Sequence, residues 1–140
     1  MALPPEDTAE MYDRACAVLQ ADCSELPEPY VHYAPLLWQG GVLGTFLSRN
    51  PDTVWLDVMF LDQSVADWYH AGTVLHEMIH YVDWHITEDK LYFDVCESEA
   101  KAWRAENSYF VEMGHHEWAH WNWREGYPHC LIGIEQDDTD

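Results

Sequence analysis

TVLHEMIHYVDW, residues 73–84, is an apolar, helix-like run around which the rest of the chain is organised. At about 100° per residue in a helix, His76 and His80 lie about 40° apart on one face, with Glu77 beside them. Both imidazoles can therefore meet one cation. Neutral imidazole is a good zinc ligand, and a catalytic zinc takes three protein ligands and leaves room for a water. The Glu between the histidines is placed to take that water's proton. Val74, Leu75, Met78, Ile79, Tyr81 and Val82 make the surround almost uncharged, as expected of a helix buried behind the floor of a site.

Working outward, residues 65–85 predict one helix around this motif, capped by Asp62-Gln63-Ser64 and broken near Gly72. Upstream, residues 6–20 place Ala9, Tyr12, Cys16 and Leu19 on one helical face, with acidic residues near the start favouring the dipole. Residues 30–33, 41–47 and 53–60 carry the β-branched and aromatic side chains of strands, with turns at Gly40-Gly41 and residues 48–52. A small antiparallel meander is the economical arrangement. Downstream, residues 92–113 repeat Val95, Ala102, Trp103 and Phe110 at helical spacing, and Gly114 stops the run. The fold class is α+β: a small antiparallel or mixed sheet packed on the HExxH helix and on a following helix.

Composition narrows the function classes. One hundred and forty residues at 48% hydrophobic content, with eight Trp and eight Tyr, suit a single domain over 1–140 with a packed core. Only the acidic end, residues 135–140, is expected to fray. A formal charge of −20 would repel nucleic-acid backbones and anionic membranes, so neither is an expected partner. It reads more simply as a solubility device. No run approaches a membrane span, and MALPPEDTAE lacks the regions of a signal peptide, so the expected place of action is the cytoplasm, a virus- or toxin-associated role included. Cys16, Cys23, Cys96 and Cys130 contain no CxxC and are few for a disulfide scaffold. Free core thiols are the first reading, and a Cys16–Cys23 bridge the second, requiring a turn between them.

A metal on His76 and His80 needs a third ligand. His85 lies five residues past His80, where the long HExxH motif of the metzincins has a His at six with a Gly between. Asp83 sits nearly two turns from His76 and suits a hydrogen-bonding role behind a histidine or a neighbouring backbone group. On the next helix, Glu99 falls in line with Val95, Ala102 and Trp103 and should face inward, where an unpaired carboxylate is costly and a metal removes the cost. Glu99 is the first choice and Glu97 the second.

HExxH on one helix followed by Glu on the next resembles the gluzincin branch of zinc metallopeptidases, especially its minimal single-domain members. The particular pattern is similar to that of the mitochondrial ATP-synthase assembly protease family: His76-Glu77-Met78-Ile79-His80, then Asp83, then Cys96 and Glu99-Ala100-Lys101-Ala102. Cys96 stands one residue further from the Glu than in that family, and Tyr81 replaces a Tyr one position later. The resemblance covers residues 73–103 only. It implies a zincin-like domain, Zn2+ on His76, His80 and Glu99, Glu77 as general base, and a protein or peptide substrate; it leaves the oligomeric state open. In zincins an edge strand pairs with the extended peptide, and residues 53–60 are the expected segment.

His116-Glu117-Trp118-Ala119-His120 is a second HExxH. It lies in a Trp-rich segment less like a buried helix, with only Glu125 and Glu135 as downstream carboxylates and no further helix to deliver one, so it reads as packing. Tyr127, His129, His116 and His120 are candidate oxyanion donors. Two other classes compete with the peptidase: a catalytically silent, zinc-stabilised structural or interaction protein, and an acidic decoy that mimics nucleic acid.

Overall fold

A computed structural model describes residues 2–126. Tyr127, His129, Cys130 and the acidic end lie outside the described residues. The architecture is α+β, with five α-helices and a three-stranded mixed sheet.

Helix α1, Pro5–Val18, has proline in its first turn, where the missing N–H costs nothing, and Glu6 and Asp7 at the positive end of its dipole. Met11, Tyr12 and Ala15 form its buried face. The chain then turns back, and Cys16 is bonded to Cys23. Cys96 is disulfide-bonded as well, and none of the described cysteines is a free thiol, which overturns the first reading.

Strand β1 is Tyr30–Ala34, followed by the short helix α2, Leu36–Gly40, then β2, Gly44–Phe46, and β3, Thr53–Asp57. The sheet order is β1-β3-β2. β3 pairs with β2 antiparallel but with β1 parallel, Tyr30 opposite Thr53 and Ala34 opposite Asp57. An all-antiparallel meander is therefore not formed. The excursion through α2 and β2 brings the chain back to β1 in the same direction, as a parallel pair requires. β3 is the central strand, with Val54 and Leu56 wholly buried, so the expectation that it offers a free edge to a peptide fails. A free edge belongs instead to β2, which packs on the helix of the HExxH motif.

Helix α3, Asp67–Ile86, holds the fold together: thirteen of its twenty residues are buried. It packs against α1, α4 and strands β2 and β3. The helix runs unbroken through Gly72. A Cβ there would lie 2.2 Å from the ring of Phe110 on α4, so this glycine permits a close helix contact. Nor do residues 62–64 cap it. Ala66 is the N-cap, without a side-chain hydrogen bond, and Asp62 instead accepts from the Ser64 N–H at 2.8 Å in the preceding turn.

Helix α4, Val95–Glu112, does start on a side-chain cap, Asp94 accepting from the N–H groups of Cys96 and Glu97 at 2.9 and 3.2 Å. Gly114 ends the run at φ +88°, a conformation glycine adopts without strain. Helix α5, His116–Gly126, then folds against α4.

Candidate metal centre

Two of the ligands come from the middle of α3 and the third from the second turn of α4. His76 Nε2 stands 2.5 Å from Glu99 Oε1, and His80 Nε2 stands 3.3 Å from the same oxygen. The three ligand atoms lie within 4.8 Å of one another, and this is the one such group of His, Cys, Asp and Glu among the described residues. His76, His80 and Glu99 thus form a group that could hold a metal ion. Glu97, the second choice, is exposed to solvent. His85 Nε2 faces the carbonyl oxygen of Pro51 at 2.6 Å, away from the group. Asp83 backs no histidine: its carboxylate accepts from Lys101 Nζ at 3.2 Å, tying α3 to α4.

Electrostatics make the pocket suitable for a cation. Burial opposes a charge on His76, but the hydrogen bond to Glu99 and the nearby Glu77 and Glu106 carboxylates outweigh it and raise the imidazole to about 9. Burial would raise Glu99 too, yet the hydrogen bonds from His76 and His80 hold it well below the usual carboxylate range. Burial pushes Glu77 and Glu106 up, against the pull of the histidines. Glu77, Glu99 and Glu106 all line the cavities at the group, and Lys90 is the only Lys or Arg lining them among the described residues. In the metal-free protein the His76 imidazolium is the close counter-charge to these carboxylates, of which Glu77 and Glu106 are buried, and a divalent ion would take over that role. Two imidazole nitrogens and a carboxylate oxygen are a donor set that fits zinc.

Behind the ligands stand residues that the sequence did not single out. Ser98, fully buried, has its Oγ 2.9 Å from His80 Nδ1, and with an ion on Nε2 that hydroxyl would accept the Nδ1 proton. His76 Nδ1 is buried without a hydrogen bond, and the nearest carboxylate oxygen is Glu106 Oε1 at 3.8 Å. Glu106 in turn accepts from Asn122 Nδ2 at 3.0 Å, and the same amide group donates to Asn107 Oδ1 at 2.9 Å. Glu106 follows Glu99 by seven residues, two helical turns, and that spacing was the available signal. Asn122 belongs to α5, the helix of the second HExxH. His116 and His120 of that motif are exposed and line neither cavity at the triad. As oxyanion donors they are misplaced, because their face of α5 turns toward solvent.

Strand β2 forms the opposite wall. A Cβ on Gly44 would lie 2.9 Å from Glu77 Oε2, so glycine here lets the strand backbone lie on that carboxylate without displacing it. Two cavities meet over the group. One, about 440 Å³, is lined by Tyr69, Thr73, Trp103, Glu106 and Asn122; the other, about 480 Å³, by Phe46, Trp84, Lys90, Phe93 and Val95. Both share Val42, Gly44, His76, Glu77 and Glu99.

These features define a candidate three-ligand metal centre with a buried carboxylate beside it. Comparison of the chain with protein-family profiles, with curated proteins and with solved structures finds no match.

Proposed function

We propose that this protein is a zinc-dependent peptidase with a zincin-like domain, in which His76, His80 and Glu99 hold the ion and Glu77 is the general base. One observation carries the reading: His76 Nε2, His80 Nε2 and Glu99 Oε1 converge beside the buried Glu77 carboxylate in a cleft open to solvent. Zinc, when bound there, would lower the pKa of water to about 7 and polarise a carbonyl oxygen.

The chain's own residues perform the remaining steps. Glu77 accepts the proton of the attacking water and passes it to the leaving amine, a role that its upward-shifted carboxyl suits. Ser98 orients His80 through its hydroxyl, and the Glu106 carboxylate, 3.8 Å from His76 Nδ1, acts on that imidazole by its charge. The free edge of β2 pairs with an extended peptide by strand addition, and Gly44 seats that strand against Glu77. The substrate class is therefore a protein or peptide in extended conformation.

The test is zinc content together with cleavage of an unfolded polypeptide such as reduced, alkylated casein. Expected are one zinc per chain and cleavage by wild type, with Glu77→Gln retaining the ion but losing at least about a hundredfold in turnover. Zinc without cleavage would assign the centre a structural role. Cleavage that survives Glu77→Gln would remove the general base.

A further inference from the structure

The cleft over the metal group has two arms. Beyond Thr73, the arm toward α5 is lined by Tyr69, Trp103, the buried Glu106 and the half-buried Asn122. The end toward the C-terminus of α3 is walled by Phe46, Trp84 and Phe93, all half-buried, and by Val95, which is 68% exposed. Phe46 and Trp84 meet with ring centroids 6.0 Å apart. Lys90 Nζ lies 4.3 Å from the Trp84 ring centroid and donates to the carbonyl oxygens of Trp84, His85 and Thr87. Its one cation is thus spent on closing α3 and bracing the indole. Leu91 and Tyr92, which precede Phe93 in the chain, expose 92% and 81% of their surface. Phe46, Trp84, Phe93 and Val95 thus give this recess an aromatic and aliphatic wall.

We infer that this recess is the specificity pocket of the cleft and takes one bulky apolar side chain, aromatic or long aliphatic, from an extended peptide. The inference rests on the peptidase reading for its substrate. Three features select this occupant. The recess opens directly onto His76, His80, Glu77 and Glu99. Gly44, Thr45 and Phe46 of the edge strand β2 line it, so a peptide added to that edge presents alternate side chains to it. Its volume of about 480 Å³ accommodates an aromatic side chain, and no carboxylate lines it apart from Glu77 and Glu99 at the metal group.

Binding can be separated from cleavage by using the zinc-loaded Glu77→Gln protein. It would be titrated with blocked Ala/Ser octapeptides carrying a single central Phe, Leu, Ala or Asp, with Trp fluorescence as the readout. The Phe and Leu peptides are expected to bind at least about tenfold more tightly than the Ala peptide, and the Asp peptide most weakly. Val95→Trp, which fills the recess, and Val95→Asp, which charges its wall, are both made at an exposed position that leaves the core untouched. Each should abolish the preference. Equal affinity for all four peptides, or a preference unaltered in both variants, would overturn the inference. Selective binding of Phe peptides that wild type fails to cut would uphold the recess and refute the peptidase.

Discussion

At His76, burial opposes protonation while Glu99, Glu77 and Glu106 favour it, and the carboxylates prevail, holding the imidazole of the metal-free protein up to about 9. A pKa raised on folding from 6.5 stabilises the folded state fully below about 6.5, and that stabilisation is lost as pH rises from there through about 9. The melting temperature of the metal-free protein should therefore fall across that window. Zinc must displace the same proton, so binding at pH 7 should release about one proton, read by calorimetry in buffers of different ionisation heat. Binding without proton release would contradict the pairing of His76 with Glu99. Ser98 and Glu106 belong to this scale as well. Ser98→Ala and Glu106→Ala are each expected to weaken zinc binding by about 10- to 100-fold in competition with a chromophoric chelator. Unchanged affinity in both would mean that neither acts on its histidine.

Helices α3 and α4 must lie close together if Glu99 is to reach the two histidines, and Gly72 is where they touch. Gly72→Ala would drive a Cβ into the Phe110 ring, and overpacking of this kind costs about 1–3 kcal/mol, measurable by urea denaturation. Wild-type stability in this variant would show that the contact yields freely. Periodicity made both helices readable, and Ala102 and Trp103 mark the inward side that selects Glu99 over Glu97, although Val95, placed on the same line, is 68% exposed. Gly72 was misread as a break because helix propensity is local, while the reason for a glycine there lies on another helix. The parallel pairing of β1 with β3 was hidden for a similar reason: it depends on how α2 and β2 return the chain. Glu106 escaped notice although its spacing from Glu99 was visible, because no pattern on α4 alone reveals which histidine atom it faces. Asn122 was beyond reach, since α5 had been read as mere packing.

For the molecule as a whole, the Cys16–Cys23 bridge closes a short loop with a sequence separation of 7, for which chain entropy gives about 2.5 kcal/mol of stabilisation. Cys16→Ser should lower stability by about that amount in chemical denaturation, and an unchanged midpoint would show that the turn holds without the bond. Disulfides persist in oxidising surroundings, so reductant should remove this contribution. No helix among the described residues is long and apolar enough to cross a membrane. The formal charge of −20 implies self-repulsion that salt should screen, with a melting temperature that rises with ionic strength. The central claim, one ion held between α3 and α4, is tested most directly by elemental analysis of wild type beside His76→Ala and Glu99→Ala. The prediction is one zinc per wild-type chain and little in either variant; zinc retained at full stoichiometry by both would contradict it.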